Sequence, residues 1–238
     1  MINQFLRDLS VEQRLFLYDS FSGVMGATFF VSLHLIMRKY KLKKALYIKI
    51  VVSYVIAFLS AINICPLLYK LTDGAIPAIN LGVASLPFLF ILLLLSCILK
   101  IPLKLCTDIS VPVFILGRGF GVLGCLFVGC CHGAAVSWGL YSHQAGETVI
   151  PTAIADAILS WIIVAHLLGA AKKADYTATG TVAAKGLFLF GVLRFVVDIL
   201  RDNRKLFWMI TAEGICGILY VLAGAFLLYR IAQNKKQS

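Results

Sequence analysis

Charged residues are scarce in this sequence. Asp, Glu, Lys and Arg together make up 14% of its 238 residues, whereas 61% of the residues are hydrophobic and the mean hydropathy is +0.92. Soluble domains typically carry about 25% charged residues, so this composition excludes an ordinary soluble domain. Several apolar stretches approach the roughly 20 residues that an α-helix needs to cross a bilayer. The composition therefore predicts an integral membrane protein.

The apolar stretches predict an all-α polytopic bundle of seven membrane-spanning helices. No linker or low-complexity segment divides the sequence, which indicates a single membrane domain over residues 1–238. The opening residues lack a basic segment followed by an apolar core and a cleavage site, so we expect the first span to be retained. The predicted spans cover about residues 16–37, 48–69, 80–99, 109–131, 149–170, 185–200 and 207–229.

Acidic residues are scarcer than basic ones, and the formal net charge is +11. The basic residues lie in short loops beside the predicted spans rather than on one soluble face. We therefore expect anionic lipid headgroups, and not nucleic acid, as their partners. Fourteen of the 22 basic residues follow spans one, three, five and seven, and six lie at the opposite ends. By the positive-inside rule, the N-terminus is expected outside and the C-terminus in the cytoplasm.

The sequence also lacks cysteine pairs in its polar loops. Its seven cysteines lie mostly within or close to predicted spans, which argues against an extracellular disulfide framework. Cys125, Cys130, Cys131 and His132 are potential metal ligands. On a continuous helix, however, Cys125 and Cys130 would point apart, and no second ligand pair occurs in the outer loops. We expect no metal and no cofactor, and a thiol or metal site on these four residues stays open as an alternative.

Two arginines lie inside the predicted spans. Arg194 and Asp198 stand one helical turn apart in the apolar segment 186–200, and Arg118 lies in the fourth span. Ionisable side chains at membrane depth are costly and usually line a polar cavity that has a function. A structural intramembrane ion pair is the alternative for Arg194 and Asp198. We expect the three side chains to belong to a functional site.

The fourth predicted span is rich in glycine. It contains two glycine pairs at the spacing that lets helix backbones approach closely in lipid, Gly117/Gly121 and Gly129/Gly133. At roughly 100° per residue, several polar or small residues also share one helix face. That stripe comprises Arg118, Cys125, Gly129 and His132. A polar stripe lined by glycine would give a ligand room beside the backbone.

A family resemblance rests on residues 124–133 (GCLFVGCCHG), 190–201 (FGVLRFVVDILR) and 151–156 (PTAIAD). Together they resemble segments of the prolipoprotein diacylglyceryl transferase family. The first is similar to the family's signature segment, in the form where cysteines replace the more usual Asn and Glu. The second is similar to its penultimate-helix segment, and the third to its His-Pro-Ser/Thr-Gln-x-Tyr-Glu element. Seven spans with an outer N-terminus also match the family's architecture.

The resemblance implies a transferase of the bacterial inner membrane. Members of the family move the diacylglyceryl group of phosphatidylglycerol onto a cysteine thiol in a lipoprotein signal peptide and release glycerol phosphate. Buried guanidiniums suit this chemistry, because they can bind a phosphodiester bidentately and stabilise the departing phosphate. On this basis Arg194 and Arg118 hold the phosphate. Asp198 orients the guanidinium of Arg194, and Arg201 guides the headgroup in.

The sequence departs from the family at several positions. Val122 occupies the place of the signature arginine, and Arg118 lies one turn earlier, about 6 Å along the axis, as a substitute. Asn80 stands nearest the family's usual histidine. Because an amide cannot act as a general base, His132 becomes the candidate base. The expected substrate-binding residues are Tyr18, Asn80, Cys125, Gly129, Cys130, Gly133, Asp156 and Arg201.

Three functions are therefore compatible with the sequence. The first is a membrane transferase that acts on an anionic phospholipid and a cysteine thiol or related acceptor. The second is a protein that binds anionic lipid without catalysis, which needs the arginines but no base. The third is a thiol or metal site, which does not depend on Arg194.

Overall fold

The computed structural model of the protein describes residues 2–71, 81–201 and 211–237. In these ranges the chain forms eight α-helices and one two-stranded antiparallel sheet. The elements are α1 Ile2–Asp8, α2 Val11–Lys39, α3 Lys44–Leu71, α4 Leu81–Ile98, α5 Leu103–Val128, β1 Ala135–Ser142, β2 Glu147–Val149, α6 Thr152–Lys173, α7 Thr181–Leu200 and α8 Ala212–Gln237. The predicted helical bundle is confirmed.

Five of these helices are long and apolar enough to cross a membrane: α2, the first part of α3, α5, α6 and α8. The apolar part of α4, Ser85–Ile98, is shorter. Helix α7 has 20 residues but carries Lys185, Arg194 and Asp198 within them. Two of these three charges, Arg194 and Asp198, are the pair that the sequence places in a candidate functional site.

Helix α5 lies at the centre of the bundle, because it packs on α2, α6 and α7 and buries most of its length. Helices α7 and α8 form the most extensive pair, and their backbones meet at glycines. A Cβ atom on Gly191 would lie 2.6 Å from the carbonyl oxygen of Gly217, and one on Gly217 would lie 3.0 Å from that of Gly191. Small residues at this crossing allow van der Waals contact between helices, as in other membrane bundles.

An aromatic core fills the space between the helices. The rings of Phe29, Tyr54, Phe88, Phe114 and Phe190 form a chain of neighbours with centroid separations of 5.0 to 6.3 Å. The guanidinium carbon of Arg118 lies 5.4 Å from the ring centre of Phe190. The apolar core therefore ends where the buried arginines begin.

The structure corrects three expectations about local structure. Helix α5 ends at Val128, because Gly129 adopts a left-handed conformation (φ 83°) and its N–H bonds Cys125 O at 2.7 Å. Gly129, Gly133 and His132 therefore do not continue a helical stripe, and Gly129/Gly133 is not a helix-packing pair. The segment between the fourth and fifth predicted spans forms the β1–β2 hairpin, in which Tyr141 pairs with Thr148.

The polar N-terminal segment has a defined structure as well. Helix α1 packs against β1, where the side-chain oxygen of Asn3 accepts from Tyr141 N at 2.9 Å. Helix α2 then begins with a capping box, in which Ser10 Oγ accepts from Gln13 N and Gln13 Oε1 accepts from Ser10 N. These contacts place α1 against the same hairpin that follows α5.

Candidate functional site

Arg194 is the central buried cation of the bundle. Its side chain on α7 is 1% exposed, and its guanidinium contacts carboxylates from two other helices. Nη1 lies 2.6 Å from Asp156 Oδ2, and Nη2 contacts Glu213 Oε2. Asp156 stands in the second turn of α6, and Glu213 stands in the first turn of α8. Arg194 thus connects α7 to the starts of α6 and α8.

Two further arginines converge on the same carboxylates. Arg118 Nη1 from α5 lies 2.8 Å from Asp156 Oδ1, and Arg201 Nη2 at the end of α7 lies 3.1 Å from Asp156 Oδ2. Arg201 Nη1 also donates to Glu213 Oε2 at 2.8 Å. We call Arg118, Arg194, Arg201, Asp156 and Glu213 the arginine cluster. All five side chains are 9% exposed or less.

The five residues of the arginine cluster include more cations than anions. Its three guanidiniums and two carboxylates leave a formal charge of one positive. Buried charges are costly unless they are paired and hydrogen-bonded. Within the described part of the chain, Nε of Arg118 and Nε of Arg194 are buried and have no hydrogen-bond partner. A residual positive charge with unused N–H donors is suited to bind one anion.

Asp198 has a different role from the one that the sequence predicted. Its carboxylate accepts from Thr211 N at 3.1 Å and from the hydroxyl of Thr211, and the carboxylates on Arg194 are Asp156 and Glu213 instead. Thr211 Oγ1 in turn accepts from Glu213 N at 3.1 Å, so Thr211 caps the start of α8. The expected Arg194–Asp198 pair is therefore corrected. Asp198 fixes the beginning of α8, and with it Glu213.

The turn after α5 gathers three thiols. Because Gly129 reverses the chain, Cys130 and Cys131 fold back toward Cys125, and the three Sγ atoms lie within 4.8 Å of one another. Sγ of Cys130 and Sγ of Cys131 are 3.9 Å apart. The expectation that Cys125 and Cys130 point apart is wrong, since it assumed a helix that continues to residue 131. We call these three residues the thiol cluster.

Hydrogen bonds attach the thiol cluster to the helix ends that form the arginine cluster. Thr152 Oγ1 at the start of α6 donates to Cys131 O at 2.6 Å, one turn before Asp156. Gly133 N donates to Ile150 O at 3.0 Å, and Gly133 forms an antiparallel bridge with Arg201. A Cβ atom on Gly133 would lie 2.9 Å from Leu200 O, so this approach of backbones requires glycine. The two clusters are therefore neighbours.

A sequence model of the prolipoprotein diacylglyceryl transferase family matches residues 82–230. The chain belongs to that family. The matched range contains every member of the arginine cluster and of the thiol cluster. The family membership predicted from the residues is confirmed.

Several bacterial members of the family are similar over part of the chain. Phosphatidylglycerol-prolipoprotein diacylglyceryl transferase 2 of Clostridium perfringens (strain 13 / Type A) is 29% identical over 136 residues, which cover 54% of this chain and 52% of that protein. The transferase of Clostridium tetani (strain Massachusetts / E88) is 28% identical over 138 residues, or 55% of this chain and 54% of the relative. One from Dehalococcoides mccartyi (strain ATCC BAA-2266 / KCTC 15142 / 195) is 29% identical over 138 residues. The chain spans about half the length of the curated relatives it matches.

Other residues carried over from the diacylglyceryl transferase family lie around the clusters. Tyr18 on α2 is half-buried, and its ring atom Cδ2 would lie 3.2 Å from a Cβ on Gly124, beside Cys125. His132 lines a small pocket with Cys125, Cys131 and Tyr141, and its Nδ1 lies 3.2 Å from Gly133 O. The structure thus brings His132 to the thiol cluster. Asn80 lies outside the described residues.

Glu213 is the site residue that the sequence analysis missed. An acid at the start of an otherwise apolar helix was a signal of function, but its partners come from α5 and α7. Sequence spacing alone does not reveal contacts between distant helices. Val122, in the place of the family's signature arginine, packs instead with Ala153 and Ala157 on the side of α6 that carries Asp156.

Proposed function

We propose that this protein is a membrane transferase that moves the diacylglyceryl group of an anionic phospholipid, such as phosphatidylglycerol, onto a cysteine thiol. The observation that carries the proposal is the arginine cluster, in which three buried guanidiniums meet two carboxylates and Nε of Arg118 and of Arg194 has no partner among the described residues. A phosphodiester headgroup is an anion whose oxygens would accept from these donors. The acceptor in this proposal is a lipoprotein signal-peptide cysteine or a related thiol.

The proposal includes a membrane topology. We place seven spans in the bacterial cytoplasmic membrane, as one domain of residues 1–238, with the N-terminus outside and the C-terminus in the cytoplasm. The distribution of basic residues supports this orientation. In that arrangement the end of α5, the start of α6, the end of α7 and the start of α8 face outward together. Both clusters then lie near the outer surface, where a secreted substrate arrives.

The arginine cluster would act on the leaving group. Unused Nε–H groups of Arg118 and Arg194 donate to phosphate oxygens of the bound headgroup. The acceptor sulfur attacks the glyceryl carbon that bears the phosphate ester, a C–S bond forms, and the C–O bond breaks. Glycerol phosphate departs with the electron pair, and the guanidiniums stabilise its added charge. The carboxylates of Asp156 and Glu213 keep the guanidiniums in place during this step.

His132 is the candidate acceptor for the thiol proton. It lines the same pocket as Cys125 and Cys131. Among the described residues, the ion pairs of the arginine cluster do not include His132. Proton transfer by a positioned histidine typically contributes about 10²- to 10⁴-fold in rate. His132 would therefore serve the thiol and the arginines would serve the phosphate.

A transfer assay tests the proposed function. Purified protein is incubated with phosphatidylglycerol and a signal-peptide analogue that contains one cysteine, and mass spectrometry measures the lipidated peptide. Arg194→Ala should abolish the product, since it removes the central phosphate donor and leaves Asp156 and Glu213 with only Arg118 and Arg201 as cationic partners. Arg38→Ala changes an exposed arginine of α2 and should leave the product unchanged. Equal product from wild type and Arg194→Ala would contradict the proposal.

One observation favours a second function, which is binding of an anionic lipid without transfer. Ala153 replaces a polar residue of the family's motif and packs in an apolar contact with Val122 and Ala157. All five members of the arginine cluster are present, but the neighbours of Asp156 at Val122 and Ala153 are apolar where the family has polar side chains. A protein that retains phosphatidylglycerol yet modifies no thiol would fit this function.

A further inference from the structure

The thiol cluster has the geometry of a set of metal ligands. Two sulfur ligands that bind one ion at about 2.3 Å are separated by roughly 3.8 Å in a tetrahedral site and 4.0 Å in a trigonal one. The Sγ atoms of Cys130 and Cys131 are 3.9 Å apart, and all three thiol sulfurs lie within 4.8 Å of one another. One ion at the centre of the three sulfurs would need only small shifts of the side chains.

We propose that Cys125, Cys130 and Cys131 bind a Zn²⁺ ion whose fourth position takes the thiol of the acceptor substrate. Thiolates are preferred ligands of Zn²⁺, and three protein ligands with one open position are typical of zinc sites that take part in catalysis. The three cysteines are half-buried, and Cys125 and Cys131 line the small pocket beside His132, from which a fourth ligand would approach. This inference rests on the proposed transfer function.

The chain holds the three ligands in place. The left-handed Gly129 fixes the reversal that returns Cys130 and Cys131 toward Cys125. The bond from Thr152 Oγ1 to Cys131 O then anchors the turn on α6. A Cβ atom at position 129 would lie 2.7 Å from Ser142 Oγ, and the left-handed backbone there strains every residue except glycine. Position 129 therefore requires glycine. Such a rigid turn supports ligand geometry without the metal.

Charge also favours an ion at this place. Three thiolates with Zn²⁺ carry one net negative charge, and the neighbouring arginine cluster carries one positive charge. Gly133, two residues after Cys131, pairs with the backbone of Arg201 and so places the two groups side by side. The neighbouring guanidiniums would therefore stabilise a zinc site that carries net negative charge.

Zinc would supply the activation that the thiol needs. Coordination to Zn²⁺ deprotonates a thiol outright, so the acceptor binds as a thiolate, and His132 in the same pocket accepts the proton. The zinc-bound sulfur would attack the glyceryl carbon as the C–S bond forms and the C–O bond to the phosphate breaks. Glycerol phosphate would leave with that electron pair toward the arginine cluster. The product is a neutral thioether, which is a weaker ligand than a thiolate and leaves the ion. No electrons are gained or lost.

Metal analysis of the purified protein tests the site directly. After preparation under reducing conditions and incubation with Zn²⁺, wild type should retain about one zinc per chain. Cys131→Ser and Cys130→Ser should lose at least 90% of it. Cys97→Ser changes an exposed cysteine on α4 and should retain it. Co²⁺ in place of zinc should give sulfur-to-cobalt charge-transfer absorption in wild type and Cys97→Ser. Elution on size exclusion shows that the variants are folded.

Two further measurements separate this inference from the proposed function. Arg194→Ala should keep zinc and no longer retain phosphatidylglycerol. Cys131→Ser should keep the lipid and lose zinc, and its transfer rate should fall at least 100-fold. Removal of zinc with a chelator should stop transfer, and added Zn²⁺ should restore it. Retained lipid and active transfer without zinc would overturn the inference and leave the proposed function intact. A disulfide between two of the three cysteines in active protein, or no Zn²⁺ or Co²⁺ bound, would also overturn it.

Discussion

At the scale of single residues, the arrangement depends on Asp156. Its two carboxylate oxygens bind the guanidiniums of Arg118 on α5, Arg194 on α7 and Arg201 at the end of α7. The side chain of Asp156 has no exposed surface. A buried carboxylate among three cations is stabilised only while those partners stay in place. Substitutions at Asp156 should therefore affect stability as well as function, and those at the arginines should affect lipid binding first.

Asp156→Asn should lower stability by about 3 to 5 kcal/mol, because it leaves three buried guanidiniums with one carboxylate. Thermal unfolding in detergent measures the effect. Asp8→Asn at the exposed end of α1 is the matched control and should change little. Added phosphatidylglycerol should recover part of the loss, since its phosphate supplies the missing negative charge. An unchanged unfolding temperature for Asp156→Asn would show that the arginine cluster does not hold the bundle together.

Arg118 should be replaceable by an arginine one turn later. Val122 is buried against Ala153 and Ala157, which flank Asp156 on α6, and a long side chain there would point back toward the N-terminal end of α5. Arg118→Val should abolish lipid retention, and the combination with Val122→Arg should restore it. If the double variant retains no more lipid than Arg118→Val while remaining monodisperse, Arg118 is not a substitute for the family's arginine.

At the scale of elements, the site depends on where helices begin and end. The start of α8 is capped by Thr211, which Asp198 holds from the last turn of α7. The start of α7 is held in the same way by Asp108 of α5, whose carboxylate accepts from Gly180 N and Ala183 N at 2.8 Å each. Both carboxylates come from a neighbouring helix. The helix ends are therefore fixed by tertiary contacts.

Thr211→Val should lower stability by roughly 1 to 2 kcal/mol, because the cap on Glu213 N is lost and Asp198 loses its hydroxyl donor. Lipid retention should fall with it, since Glu213 shifts relative to Arg194. Thr211→Ser keeps the hydroxyl and should behave as wild type. Thr107→Val is the matched control, because the hydroxyl of Thr107 bonds only to carbonyls of its own helix among the described contacts. A loss in Thr211→Ser equal to that in Thr211→Val would contradict the capping role.

The sequence predicted helices well and their ends less well. Apolar periodicity placed the long helices, and charge inside spans identified Arg118 and Arg194 as members of one site. It did not predict that Gly129 would end α5, because GCCHG fits an apolar helix as well as a turn. For the same reason the sequence predicted that Cys125 and Cys130 point apart, and a thiol or metal site stayed only an alternative. The sequence missed Glu213 and assigned Asp198 to Arg194. The partners of both residues lie outside their own helix, and spacing along one helix indicates only local neighbours.

At the scale of the whole molecule, the proposed function requires both clusters on the outer side of the membrane. The β1–β2 hairpin follows the thiol cluster and leads into the start of α6. The connection between α6 and α7 lies at the opposite end of these two helices. Exposed residues on these two connections therefore report the orientation. Glu147 on the hairpin and Lys172 at the end of α6 are both exposed.

Cysteines introduced as Glu147→Cys and Lys172→Cys, in a background without native cysteines, should differ in labelling. A membrane-impermeant thiol reagent on intact cells should label the hairpin cysteine and spare the one at the end of α6. A permeant reagent should label both, which shows that both variants are present and accessible. The reverse pattern would invert the topology and place the arginine cluster on the cytoplasmic side.

Native mass spectrometry of the purified protein tests the central claim most directly, namely that three buried arginines bind one anionic phospholipid. The protein is extracted from membranes that contain phosphatidylglycerol and phosphatidylethanolamine. Wild type should carry one phosphatidylglycerol per chain, Arg38→Ala should carry the same, and Arg194→Ala should carry none. Phosphatidylethanolamine bound as readily as phosphatidylglycerol, or phosphatidylglycerol retained by Arg194→Ala, would contradict the claim.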